Sequence, residues 1–238
     1  MMLGDEAVSM SLELPTAPTP ARRMLPVFQT LTHKVIDAGV AEVTRRGETV
    51  SCRAGCGACC RQSVPISLTE ARQLAALVEA MAEPRRSQIR ARFADATARL
   101  AAGGLLDELR RLDAMPNEWH AALHPRYFAL GIPCPFLEEE SCSIHPDRPL
   151  ICREYLVTSS PEHCAEPTPQ KVRRVPLHGQ VSTDIVLLEY QGPTASRVAL
   201  VLALEWAREH EDDAPAQRPP IEWLSQVLEK GREQLPEP

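Results

Sequence analysis

The chain has 238 residues, 44% of them apolar, enough for one large domain, or one domain with helical appendages, around a real core. Aromatic residues make up only 4%, so that core must be built mainly from Leu, Val, Ile and Ala. A net charge of −6 without a basic stripe argues against a nucleic-acid partner, and the longest apolar run, Val198 to Leu204, is far too short for a membrane span.

The opening residues Met1 to Glu6 carry neither a basic segment nor a long apolar run. The expectation is a cytoplasmic chain with no membrane contact. In that compartment thiols stay reduced, and spaced cysteines bind metal more often than they form disulfides.

In chain order, residues 1–22 read as a disordered arm, with Pro15, Pro18 and Pro20 among Thr and Ala. A helix is expected from about Leu25 to Arg46, because Phe28, Leu31, Val35, Ile36, Val40 and Val43 recur at helical spacing, and it ends at Gly47. Cys52 to Gln62 must be irregular, with Gly55 and Gly57 permitting tight turns. Ser67 and Glu70 form a capping box that opens a helix with Ala71, Leu74, Ala75, Val78 and Met81 on one face. Pro84 breaks it. A further helical stretch runs from Arg85 to about Leu112, weakened at Gly103-Gly104, with a solvated charged side.

From Pro116 to Pro169 prolines are too frequent for regular helix or central strand throughout, so another means of support is needed, and metal bonds would supply it. Short strands are expected over Arg174 to Leu177 and Ile185 to Tyr190. Thr194 to Glu209 reads as a core helix carrying Val198, Val201, Leu202 and Trp206. Residues 211–219 read as an acidic linker, and Ile221 to Gln234 as an amphipathic helix. The fold class expected is mainly α, with an irregular cysteine-rich centre and a few short strands. The expected division is an arm over 1–22, a cysteine-cluster domain over 23–210 with a helical insertion at about 66–115, and a linker with a C-terminal helix over 211–238.

All eight cysteines lie between positions 52 and 164, four in each of two sets: Cys52, Cys56, Cys59 and Cys60, then Cys134, Cys142, Cys152 and Cys164. Close spacing is what chelation demands, since a metal about 2.3 Å from each sulfur needs its ligands a few ångströms apart. All eight are candidate metal ligands, for zinc or for an iron–sulfur cluster. Binding would close the long 61–133 loop, whose entropic cost grows only slowly with length. Cys59 and Cys60 are adjacent, and neighbouring side chains tend to diverge. Either one is a ligand and the other packs or does redox chemistry, or the two serve different metals. Eight thiolates fit two four-cysteine sites, or one cluster with spare thiols. An even count also fits a disulfide framework, which the length and the expected compartment disfavour.

Arg61, Arg148 and Arg153 are candidates to hydrogen-bond to the bound cofactor's sulfurs or to loop carbonyls. The rival reading makes them surface arginines lying over apolar residues. His145, three residues after Cys142, is more simply a turn residue before Pro146 than a ligand. His163, beside Cys164, has the next claim. Glu138-Glu139-Glu140 reads as a solvated turn.

Taken together, Cys52-x3-Cys56-Gly-Ala-Cys59-Cys60-Arg61, then Cys134-Pro-Phe-Leu, then Cys142-Ser-Ile-His-Pro-Asp-Arg148-Pro-Leu-Ile-Cys152-Arg153, and Cys164, resemble the YkgJ-type cysteine-cluster family. That resemblance covers about half the chain. It implies a zinc- or iron-chelating domain, and flagellin lysine N-methylase carries a related cluster. Cys52-x3-Cys56-x2-Cys59 also matches the spacing of radical S-adenosylmethionine enzymes, but helices rather than alternating strands surround it here. No glycine-rich phosphate loop, nucleophile elbow or His-Glu metalloprotease motif is present. Three roles stay open: a metal-stabilised binding or accessory protein, an iron–sulfur enzyme of protein modification, and an electron carrier. The partner expected is a protein, as ligand or as substrate.

Overall fold

The apolar positions spaced three and four apart after Met24 become helix α1, Ala21–Arg45, in the computed structural model, which describes residues 10–112, 117–165, 171–189, 197–213 and 215–233 together with 2–3 and 6–7. Its buried stripe holds Met24, Leu25, Phe28, Leu31, Val35 and Val43. The helix stops before Gly47, whose φ of 76° a side chain would resist. Helix α2, Leu68–Glu79, opens on the expected capping box. Ser67 Oγ accepts from the Glu70 amide, and the Glu70 carboxylate accepts from the Ser67 amide. Helix α3, Arg85–Ala102, buries Ile89, Phe93, Ala96 and Leu100 and ends at the glycine pair, and α4, Leu106–Arg110, follows.

Five of the remaining helices are short or unexpected in place. They are α5 (Asn117–Ala129), α6 (Leu150–Glu154), α7 (Glu162–Ala165), α8 (Val181–Leu188) and α9 (Ala203–Glu209). Helix α10, Pro220–Glu233, is the expected C-terminal helix. Among the described residues, strands are confined to four antiparallel ribbons of two-residue partners: Met2–Leu3 with Glu6–Ala7, Thr19–Pro20 with Gln217–Arg218, Pro65–Ile66 with Val198–Ala199, and Leu137–Glu138 with Ser141–Cys142. The chain is mainly α, as its periodicity predicts.

Three apolar clusters form the core. In the first, α1 packs Phe28 and Leu31 with Val181 and Ile185 of α8 and Trp223 and Val227 of α10. Met10, Leu12 and Leu14, within the stretch expected as an arm, are half-buried against it. The second joins α2 and α3 to Phe136, Ile144 and Val198, with Phe93 and Phe136 meeting edge to face at 5.5 Å. The third lies between the far end of α3, α4, α5 and Leu202.

Two local expectations are corrected. Ile185 to Tyr190 is not a strand: 181–188 is α8, and Tyr190 lies outside the described residues. An unbroken apolar run has no period to tell the two apart. Of the described part of Thr194 to Glu209, which starts at Arg197, only 203–209 is α-helix, because Val198–Ala199 pairs with Pro65–Ile66. Within the proline-rich stretch, α5 forms despite Pro125.

Candidate metal centre

The first cysteine segment is shaped by its glycines. Gly55 takes a φ of 80°, and the Cys56 amide closes back on the Arg53 carbonyl at 3.2 Å. Gly57 serves a different need. A Cβ there would stand 2.6 Å from Glu140 Oε2 and 2.7 Å from Leu137 Cδ1, so only glycine lets the second segment approach. A single 3-10 turn, Ala58–Arg61, then presents Cys59 and Cys60.

The second segment docks directly on this turn. The Cys134 amide donates to the Cys60 carbonyl at 2.7 Å, and the Gly55 amide donates to Ser141 Oγ at 3.1 Å. The hairpin carrying Cys142 turns through Glu139 and Glu140, with φ of 47° and 55°. Positive φ at two consecutive non-glycine residues costs roughly 1–2 kcal/mol each. The turn is held because Arg61 pairs with Glu140 through two nitrogens, at 2.6 and 2.9 Å, and also donates to the Gly57 carbonyl. Glu138, the next acid, pairs with Arg85 and Arg92 of α3. Glu138 and Glu140 therefore brace the hairpin through arginines, which corrects the reading of the triplet as a solvated turn for these two, while Glu139 is exposed.

Cys152 sits on α6. The helix is fixed at its start by the buried Glu70, which accepts the Leu150 amide at 2.7 Å. Cys164 sits on α7, which packs against the 3-10 turn, and the Tyr155 hydroxyl hydrogen-bonds to its sulfur. The Ser51 amide donates to the Val157 carbonyl at 2.9 Å, tying the start of the first segment to the approach to α7. All eight cysteines are free thiols, gathered from four stretches of chain into one region.

The electrostatics follow from that crowding. Burial pushes the thiols of Cys52, Cys142 and Cys152 up, Cys134 to about 12 and Cys164 to about 11. Cys59 goes the other way: the Cys60 thiol donates to its sulfur, which favours the Cys59 thiolate and holds the Cys60 proton in place. The two adjacent sulfurs thus meet, against the expectation that they diverge. Cys134 and Cys142 each accept the amide two residues on, from Phe136 and Ile144.

The three candidate arginines have separate positions. Arg148 acts on Cys52, Cys59 and Cys142 by its charge, and its Nε is buried without a hydrogen-bond partner. Arg153 is turned to the loop instead, donating to the carbonyls of Arg148 and Pro146 and facing His33 Nε2 at 3.1 Å. Arg61 braces the hairpin. His145 is exposed in a 3-10 turn, His145–Asp147, whereas His163 Nδ1 is buried and unpartnered. Three contacts escaped the sequence reading: the bond from the Leu150 amide to Glu70, the pairing of Glu140 with Arg61, and that of Tyr155 with Cys164. Glu70 and Glu140 meet partners 80 and 79 residues away, which no local pattern encodes.

Residues 51–168, from just before Cys52 to just past Cys164, match the CxxCxxCC family, described as a putative zinc- or iron-chelating domain. The chain belongs to that family. No curated protein and no solved structure matches it. The CxxCxxCC segment contains every cysteine, and zinc or iron is the metal class of the domain.

The donor set fits such a metal, since sulfur is a soft ligand suited to zinc and to iron–sulfur chemistry, and Arg148 offers an unused N–H beside the thiols. Among the described residues no three Cys, His, Asp or Glu side chains stand in position to hold one ion together, so closing the site takes side-chain rotation. No helix among the described residues is long and apolar enough to cross a membrane.

Proposed function

We propose that this protein chelates zinc or an iron–sulfur cluster through its eight cysteines, in a binding or accessory role. The observation that supports this reading is the gathering of eight free thiols, from two docked segments and the helices α6 and α7, around one region. Buried thiols raised above their ordinary range are inert as nucleophiles and become useful once a metal takes the place of their protons. Arg61 and Arg153 would hold the two loops in register, and Arg148 would donate to a ligand sulfur or offset its charge.

A second reading, an iron–sulfur enzyme, is favoured by one feature. A groove of about 980 Å3 between α3 and the 133–143 hairpin is lined by Arg92, Asp95, Cys134, Glu138 and Ser143. A substrate seated there would lie beside Cys134.

The test is metal and acid-labile sulfide per chain after anaerobic purification, with the visible spectrum. Zinc without sulfide supports the binding role. Brown protein with iron and sulfide in comparable amounts supports the cluster and gives the enzyme reading its first footing. No metal, before or after reconstitution, ends both.

A further inference from the structure

We propose that the eight cysteines form two separate four-thiolate sites: Cys52, Cys56, Cys59 and Cys164 in one, Cys60, Cys134, Cys142 and Cys152 in the other. The inference rests on the reading that these thiols bind metal, and it adds which of them share an ion.

The backbone makes the division. Cys52 and Cys56 lie on one short loop, and Ser51 ties that loop to Val157 and, through Oγ, to the Thr158 carbonyl. The Val157 amide also donates to the Cys52 sulfur. From Thr158 the chain runs directly into α7, which lays Cys164 against the 3-10 turn. On the other side, the Cys134 amide is bonded to the Cys60 carbonyl, and the Leu137 amide to the Cys134 carbonyl. The hairpin then returns Cys142 to the same end. Cys152 follows on α6, held by Glu70.

The sulfurs keep the same company. The strongest thiol neighbours of Cys164 are Cys59, Cys52 and Cys56. Those of Cys152 are Cys134, Cys59 and Cys142, and Cys60 faces Cys134 and Cys152 besides Cys59. Cys59 alone neighbours both sets. A closed site takes four ligands, and the second set has four without Cys59 while the first has three. Cys59 therefore completes the first. The two sites adjoin at the 59–60 peptide, each taking one zinc or one iron-based centre.

The experiment is zinc reconstitution under anaerobic reducing conditions, counted by native mass spectrometry. Wild-type chain is expected to hold two zinc ions. The pair C56S/C164S should keep one and C142S/C152S should keep one, while C56S/C142S, which breaks both sites, should keep none. C56S/C164S losing both ions while C56S/C142S keeps one would overturn the division, as would a wild type that takes a single ion. No zinc at all in wild type would instead remove the metal-binding reading beneath it. Because serine variants can misfold, the wild-type protein supplies a second measurement: partial chelation with simultaneous alkylation, read by intact mass and peptide mapping. Molecules with four labels confined to one set are expected. Labels mixed across the sets, or only zero and eight, would overturn the proposal.

Discussion

Gly57 and Gly55 stand two positions apart and do opposite work. Gly57→Ala puts a methyl into Glu140 and Leu137, and the expected cost is about 1–3 kcal/mol with weaker metal retention, because the hairpin must lift from the first segment. Gly55→Ala meets nothing in space and suffers only from its positive φ, about 1 kcal/mol, with the hairpin still docked. Urea melts and metal counts on the two variants separate these outcomes. Cys56→Ser and Cys152→Ser are each expected to lower bound metal and the melting temperature together, and unchanged values in both would remove them from the ligand set. Glu189 offers a pH readout. Burial and the neighbouring Glu70 raise its carboxyl to about 7, even though it accepts the Thr69 amide at 3.0 Å. A raised acid favours the folded state while protonated, so its contribution is full below about 4.5 and lost as pH rises through about 7. Glu189→Gln should flatten the fall in stability across that interval, by on the order of 2 kcal/mol, in denaturant titrations at either end. A slope identical to wild type would count against it. At this scale the cysteines and the arginines beside them were legible from spacing. Glu140 was not, since an acidic triplet looks the same whether it is solvated or paired.

Single elements show where sequence reading succeeds and where it stops. Helices α1, α2 and α3 announce themselves through 3.6-residue spacing and local caps, which need no knowledge of the fold. Ser67 and Glu70 give one cap within four residues. The same Glu70 also receives the Leu150 amide, 80 residues away, and so positions the helix that bears Cys152. Nothing local encodes that second bond. Glu70→Ala is expected to leave the Ser67 and Leu150 amides unpaired and to cost about 2–4 kcal/mol. Hydrogen exchange should show α2 and α6 loosening together, and loosening confined to α2 would refute the link. Helices α5, α8 and α9 were hidden for three separate reasons: a proline inside, an aperiodic apolar run, and a strand pairing set by distant Pro65–Ile66. Met10, Leu12 and Leu14 were hidden by the prolines around them.

Across the whole molecule, the apolar clusters lie mostly apart from the thiols, with only Cys134 and Cys142 half-buried against one of them. Most of the fold therefore has its own source of stability. Chelation of the metal is expected to leave the far-ultraviolet circular dichroism largely intact while lowering the melting temperature, with added zinc restoring it as a function of concentration. Collapse of the helical signal on chelation would mean that the metal, not the core, holds the chain together.

The hydrogen bond from Cys134 to the Cys60 carbonyl carries a further consequence. It joins the ends of the 61–133 loop through the backbone, so ring closure does not wait for an ion. For the metal proposed above, uptake and release would then be side-chain rotations on a standing scaffold, with rates expected to depend on access to the sulfurs instead of on refolding. On the metal-binding reading proposed above, such a chain would suit repeated exchange, a reservoir more than a rivet.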